Sequence, residues 1–411
     1  RSSDLKGENP DFIKGGEKDH SKASTLSNDQ FFGEVFDYGL SNPPYGVDWK
    51  KDKDAVEREA SRGYAGRFGA GTPRISDGQL LFLQHLVSKM KPESDGGSRL
   101  AIVHNGSPLF TGDAGSGESE IRRWILEKDL LETIIALPDQ LFYNTGINTY
   151  LWFVTNRKSK ERKGKVQLID ARTFFKKTRK SLGSKRHEID PESKKKILEL
   201  YTNFKESEHS KIFNTTDFAY RQITIERPLR LAFQITDDRI ESIKTNKSFG
   251  KLGNDEQKEV LELLHTFPNK NLFTNLDKFL EVFNKHFAEL KLKATTKKAI
   301  MDTFSERSES AEIVVDKDNK PEPDSELRDY ENVPWGTDIN EYFNKEVKPY
   351  VSDAWINESV CDHKDNKVGI VGYEIPFTRY FYKYEAPRSL EEIEGEIEGV
   401  ENELLELLKQ L

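Results

Sequence analysis

At 411 residues the chain is long enough for two or three domains, and 25 Phe, 14 Tyr and 5 Trp supply core-forming side chains, which excludes a wholly disordered chain. No apolar run approaches the length of a membrane span, and the single cysteine, Cys361, excludes a disulfide scaffold and a cysteine-based zinc site. The net charge of −8 makes the surface as a whole repel nucleic acid, so DNA chemistry here requires local basic patches or a partner subunit.

Residues 1–30 are polar and read as loop. The opening Arg1-Ser2-Ser3-Asp4-Leu5 reads like the middle of a domain, so the chain is expected to be a piece of a longer protein. A short strand is predicted over 35–40, ending at Asn42-Pro43-Pro44-Tyr45. The charged, glycine-rich stretch 50–75 is expected to be a mobile loop. A helix begins at Leu80 and is stopped by Lys91-Pro92 and Gly96-Gly97. Strands are predicted over 100–103, 133–137 and 148–154, with a helix over 121–128. About ten residues separate the last two strands, too few for a crossover helix, so they should pair antiparallel. The pattern is that of an α/β sheet with an antiparallel edge.

Arg157 to Lys165 then holds six basic residues and one acidic, and another strand is predicted over 166–170. Residues 190–310 show mostly charged helical patterns, and Pro321 and Pro323 mark a linker. Leu390, Ile393, Ile397, Val400, Leu404, Leu407 and Leu411 form a 3-4 heptad stripe on a helix with eight glutamates over 391–411. That stripe needs either an intramolecular bed or a partner helix.

The strongest chemical signal is Asn42-Pro43-Pro44-Tyr45 at the carboxyl end of a predicted strand, where open α/β sheets bind ligands. An exocyclic aromatic amine is a poor nucleophile because its lone pair is delocalised into the ring. The Asn42 carboxamide oxygen and the Pro43 carbonyl can accept its two N–H groups, draw the nitrogen toward sp³ and localise the lone pair. Prolines 43 and 44 fix the backbone, so these acceptors are preorganised for the developing positive charge. Tyr45 offers a face for an extruded base. The alternative is a plain proline-rich turn.

Asn-Pro-Pro-Tyr is the signature of amino-methyltransferases that use S-adenosylmethionine. The wider pattern resembles the modification (DNA adenine-N6 methyltransferase) subunit of type I restriction–modification systems, apart from its N-terminal part. The matching stretches run from Phe36 through Gly46, over Leu81-Phe82-Leu83-Gln84-His85, and from Leu137 through Ile147. They continue over Ile225-Glu226-Arg227-Pro228-Leu229, Glu331-Asn332-Val333-Pro334 and Pro387-Arg388-Ser389-Leu390-Glu391-Glu392-Ile393.

The resemblance implies a Rossmann-like, S-adenosylmethionine-dependent methyltransferase fold, incomplete at the N-terminus, followed by a mainly helical C-terminal region. The expected divisions are a catalytic part over 1–235, a helical region over 236–320 and a C-terminal region over 321–411 that ends in the partner-binding heptad helix. The implied activity is methyl transfer to adenine N6 in double-stranded DNA after base flipping, with Asn42, Pro43, Pro44 and Tyr45 as the catalytic set. Phe142 is a second aromatic near the flipped base or else a core residue, and Asn144 either contacts substrate or holds a turn. The implied partners are duplex DNA, a specificity subunit, a restriction/translocase subunit and a second copy of the chain, in the cytoplasm.

Only 41 residues precede Asn42, and they contain no strand followed by Gly-x-Gly, the family's usual cofactor loop. The cofactor-binding residues are therefore unassigned, and a catalytically incomplete scaffold that assembles with a specificity subunit is the alternative. The Asp-x-Gly-x-Gly stretch at Asp113–Gly117 is either a displaced cofactor loop or a glycine-rich helix entry. The basic residues of 157–165 and 176–186 either contact DNA phosphates or decorate a solvated hairpin. His20, His85 and His104 lack metal spacing.

Overall fold

The computed structural model describes residues 24–143, 145–268, 270–290, 292–384 and 389–409. Most of the loop expected over 1–30, residue Asn144 and the Pro387-Arg388 pair lie outside the described residues. The chain forms two compact units, one of residues 1–218 with 373–411 and the other of residues 219–372.

The first unit is built on a six-stranded sheet. Its strands are β1 (Tyr38–Ser41), β2 (Arg99–His104), β3 (Leu131–Ala136), β4 (Tyr150–Thr155), β5 (Lys165–Asp170) and, after a hairpin described below, Ser210–Asn214. The spatial order is β1-β2-β4-β3-β5 and then Ser210–Asn214. β1 runs parallel to β2 and β3 parallel to β5, while β4 is antiparallel to both β2 and β3. The carboxyl ends of β1, β2, β3 and β5 therefore open on one edge of the sheet, where ligands of open α/β sheets collect.

The short connection does make β3 and β4 antiparallel, but β4 is not the edge. It lies inside the sheet between β2 and β3, with Trp152 and Val154 fully buried. The antiparallel edge is the strand Ser210–Asn214 beside β5. β4 can sit inside because its residues are apolar enough to be covered on both faces.

Helices α1 (Lys53–Ala60), α2 (Gln79–Ser88), α3 (Ser107–Phe110) and α4 (Gly117–Glu127) connect the strands. α4 starts where Ser116 accepts a hydrogen bond from Ser119 N, with Glu118 and Glu120 in the positive first turn. The stretch 50–75 is not a mobile loop. It contains α1, and its Val56 and Phe68 pack with Leu26, Trp49 and Leu81 in one buried cluster. Arg67 ties it down by donating to both Glu59 carboxylate oxygens, with Nε at 2.8 Å from Oε2, and to the carbonyls of Thr25 and Leu26, each at 2.8 Å. The glycines serve close packing: a Cβ on Gly117 would lie 1.8 Å from the Thr72 carbonyl oxygen.

In the second unit a four-stranded sheet centres on Ala219–Glu226, so the helical pattern over 190–310 conceals strands. Four helices, α6 (Asp237–Ile243), α7 (Asn254–His265), α8 (Leu276–His286) and α9 (Ala294–Phe304), surround a phenylalanine-rich core; in the first unit, α5 (Pro191–Asn203) covers β5. The terminal helix Leu390–Leu408 has no buried residue, and its stripe stays exposed at Leu390, Ile397, Val400, Leu404 and Leu407.

Two histidines make the first unit acid-sensitive. His104, at the end of β2, is fully buried with both ring nitrogens unpartnered and its ring edge-on to Trp152 at 5.3 Å between centroids. Burial pushes it down to about 3. His85 is pushed down to about 4, by burial first and then by the neighbouring Arg67. Both folded values lie below the free value of 6.5, so between about pH 6.5 and 4 the unfolded chain takes up the protons first. Their contribution is complete above pH 6.5 and is lost as the pH falls. Urea unfolding should therefore show stability falling by about 1 kcal/mol per pH unit for each histidine between pH 6 and 5. His104→Leu should flatten that slope, and an unchanged slope would contradict the buried neutral ring.

Candidate active site

The elbow at residues 42–49 leaves β1 on the ligand-collecting edge. Asn42 is exposed, Pro43 is buried, Pro44 is exposed and Tyr45 is half-buried. The Tyr45 hydroxyl donates to Asn42 Oδ1 at 2.6 Å. This bond uses one of the two lone pairs of Oδ1. Burial raises the Tyr45 phenol to about 12, so it remains a proton donor throughout the neutral range. Among the described residues the Pro43 carbonyl receives no hydrogen bond. The Asn42 oxygen, engaged by Tyr45, and the unengaged Pro43 carbonyl thus sit together on a proline-stiffened turn.

The far end of the elbow is anchored by three bonds. Trp49 N donates to Ile75 O at 3.1 Å, Trp49 Nε1 to Arg74 O at 2.9 Å, and Gly78 N to Val47 O at 3.3 Å. Behind these, the buried Gln79 bridges two loops. Its Nε2 donates to both Asp77 carboxylate oxygens at 2.9 Å and to Asn105 Oδ1 at 3.0 Å, while Asn105 N donates to Gln79 Oε1 at 3.0 Å. Sequence reasoning missed this clamp because Asp77, Gln79 and Asn105 make no spaced motif. The one signal was Asp-Gly just before the helix of α2.

The loop after β3 carries Phe142, which is half-buried and bridges to Thr145. Asn144 lies outside the described residues. The two basic stretches separate. In the first, Lys158 is buried against Asp129, and Arg162 is buried over Tyr201 and Phe204 at 4.5 and 4.2 Å from the ring centres. These residues close the opposite edge of the sheet. In the second, the strands β6 (Lys176–Leu182) and β7 (Lys185–Glu188) form an exposed antiparallel hairpin.

The Asp113–Gly117 stretch is a packed helix entry. Thr72 presses on Gly117, Glu118 Oε1 accepts from Arg74 N at 2.9 Å, and the Gly112 carbonyl accepts from Arg122 at 3.2 Å. Before Asn42 the described residues contain no strand followed by a glycine loop. They therefore offer the methyl donor no cradle of the expected kind. Among the described residues no group of three or more His, Cys, Asp or Glu is placed to hold a metal ion, and no helix is long and apolar enough to cross a membrane.

The family described as N-6 DNA Methylase matches residues 12–228. The type I restriction enzyme MjaIX methylase subunit of Methanocaldococcus jannaschii is 28% identical over 232 residues, covering 56% of this chain and 39% of that protein. The HindI methylase subunit of Haemophilus influenzae is 31% identical over 163 residues, covering 39% of this chain and 33% of that protein. A solved type I restriction–modification methyltransferase subunit from Streptococcus thermophilus is 27% identical, covers 48% of this chain and 38% of its own, and superposes with a TM-score of 0.39. The match thus spans less than half the length of these relatives. Over more than half of its own length, however, the chain carries the family's sequence, and it belongs to the N-6 DNA methylase family.

Proposed function

We propose that this chain is the methyltransferase subunit of a type I restriction–modification complex and that it acts on adenine N6 in double-stranded DNA. The observation that carries this reading is the exposed Asn42 oxygen, held by the Tyr45 hydroxyl beside an unengaged Pro43 carbonyl. An adenine turned out of the stack places its amino group against these two acceptors. Each takes one N–H, and the nitrogen lone pair is directed away from the ring plane. Pro43 and Pro44 hold the geometry, so little reorganisation is needed as positive charge develops on N6. No strong base is required, because N6 becomes acidic only after the methyl is accepted. The Tyr45 ring, and Phe142 from the loop after β3 on the same sheet edge, supply stacking surfaces. Asn144 belongs to the same loop and is proposed as a substrate contact.

S-adenosylmethionine is the donor this reading requires. A second reading is a methyltransferase-shaped scaffold for a specificity subunit. The exposed stripe of Leu390–Leu408 supports docking on a partner helix in both readings. The remaining proposed partners are a restriction/translocase subunit and a second copy.

Calorimetry with S-adenosylmethionine, followed by a labelled-methyl assay on duplex DNA, separates the readings. Saturable heat and label in DNA are expected. No heat and no label would favour the scaffold.

A further inference from the structure

Between Ala171 and His187 the chain carries Arg172, Lys176, Lys177, Arg179, Lys180, Lys185 and Arg186 and not one acidic residue, in a protein whose net charge is −8. One carboxylate, the exposed Glu188 opposite Lys176, closes the hairpin, and three nearby ones are engaged. Asp170 pairs with Arg172 at 2.7 Å, Asp139 faces His187 at 3.0 Å, and Asp190 caps α5 through Ser193 N at 2.8 Å. Lys176, Lys177, Arg179, Lys180 and Arg186 are all exposed.

The hairpin is nonetheless held firmly at its turn and along β7. Ser184 N donates to Tyr143 O at 2.9 Å, Arg186 N to Gln140 O at 2.9 Å, and His187 N to the same Gln140 oxygen at 3.1 Å. Gly183, at φ +60°, lies so close to the Tyr143 carbonyl oxygen that a Cβ would stand 2.5 Å from it. The Lys185 ammonium sits over the Tyr143 ring at 5.6 Å. Lys177 and Arg186 line one open groove together with Gln140 and Phe175. A purely solvated tip needs none of these anchors on the loop that carries Phe142.

The hairpin follows β5 and Asn42 follows β1, both on the same edge of the sheet. Four strand spacings at roughly 4.8 Å place them about 19 Å apart. Duplex DNA carries one phosphate charge per ~1.7 Å of axis, so that distance corresponds to roughly five or six base pairs along the duplex.

We propose that the β6–β7 hairpin is a clamp for the phosphate backbone of duplex DNA about half a helical turn from the base presented to Asn42. This rests on the DNA methyltransferase reading above. The clamp contributes sequence-independent affinity and register, which base contacts then refine. The cations of 157–165 have no such role, because they close the opposite edge.

The test uses the full protein with the subunits it assembles with and a labelled duplex titrated at several salt concentrations. The combined variant Lys177→Gln, Arg179→Gln, Lys180→Gln, Arg186→Gln should bind roughly 10- to 100-fold more weakly, with the slope of log K against log salt reduced by about 3. Lys160→Gln with Lys163→Gln should bind as the wild type does. An unchanged slope in the hairpin variant, or an equal loss in the control, would overturn the clamp. Asn42→Ala keeps the two questions apart. If methylation persists in that variant while the hairpin variant loses affinity, the catalytic reading fails and the clamp stands. If Asn42→Ala loses methylation while the hairpin variant binds normally, the clamp fails and the catalytic reading stands.

Discussion

Asn42→Ala should lower methyl transfer to DNA by about 10³-fold while leaving duplex binding and folding intact. The side chain is exposed and bonded only to Tyr45 among the described residues, so its removal leaves no cavity and strands no buried partner. What disappears is one of two fixed acceptors aimed at the amine. The amine then keeps its lone pair in the ring, and water, which must reorient, is a poor substitute. The loss should fall on kcat, with the dissociation constant for DNA unchanged. Tyr45→Phe separates two roles of the tyrosine. It retains the ring for stacking and deletes the O–H that orients Asn42 Oδ1, so a loss of roughly tenfold is expected, corresponding to about 1.4 kcal/mol for one hydrogen bond. Single-turnover methylation rates beside equilibrium DNA binding measure both. Retained activity in Asn42→Ala would remove the chemical assignment.

Arg122→Leu should produce the largest loss of stability in the first unit. Arg122 is fully buried in α4 and donates to four carbonyls: Tyr373 at 2.5 Å, Thr111 at 2.8 Å, and Pro108 and Gly112 at 3.2 Å each. One guanidinium therefore fastens the return of the chain at Tyr373 and the loop after β2 to the same helix. Leucine fills much of the volume but leaves these acceptors without donors, at about 1–3 kcal/mol for each that stays buried. A loss of about 4 kcal/mol, or on the order of 10 °C in the unfolding midpoint, is expected. Arg122→Lys should recover only part of it, because an ammonium lacks the planar fork that reaches several acceptors at once. Differential scanning calorimetry measures the shift, and a change below about 1 kcal/mol would show that the carbonyls find other donors.

The place of the elbow directly after a strand was legible because the apolar run ending at Leu40 and the two prolines that follow are local signals. The antiparallel pairing of β3 and β4 was legible for a similar reason, since a short connection leaves no room for a crossover. The place of β4 inside the sheet was not, because its second neighbour, β2, lies some fifty residues earlier and no spacing encodes that pairing. The stretch 50–75 looked mobile from its charge and glycines. In the fold those glycines admit backbone at distances no Cβ tolerates, and Arg67 spends its charge on Glu59. Composition also made the two basic stretches look alike. Only burial distinguishes Lys158 and Arg162, which close a corner, from the exposed cations of β6.

The most direct test of the central claim is the chemical position of the transferred methyl group. Duplex DNA labelled by the full protein from S-adenosylmethionine should be digested to nucleosides and separated. Label in N6-methyl-2′-deoxyadenosine, absent when Asn42→Ala replaces the wild type, is the result expected of an elbow that localises an amine lone pair. Label on a ring carbon, or label that persists without Asn42, would contradict it.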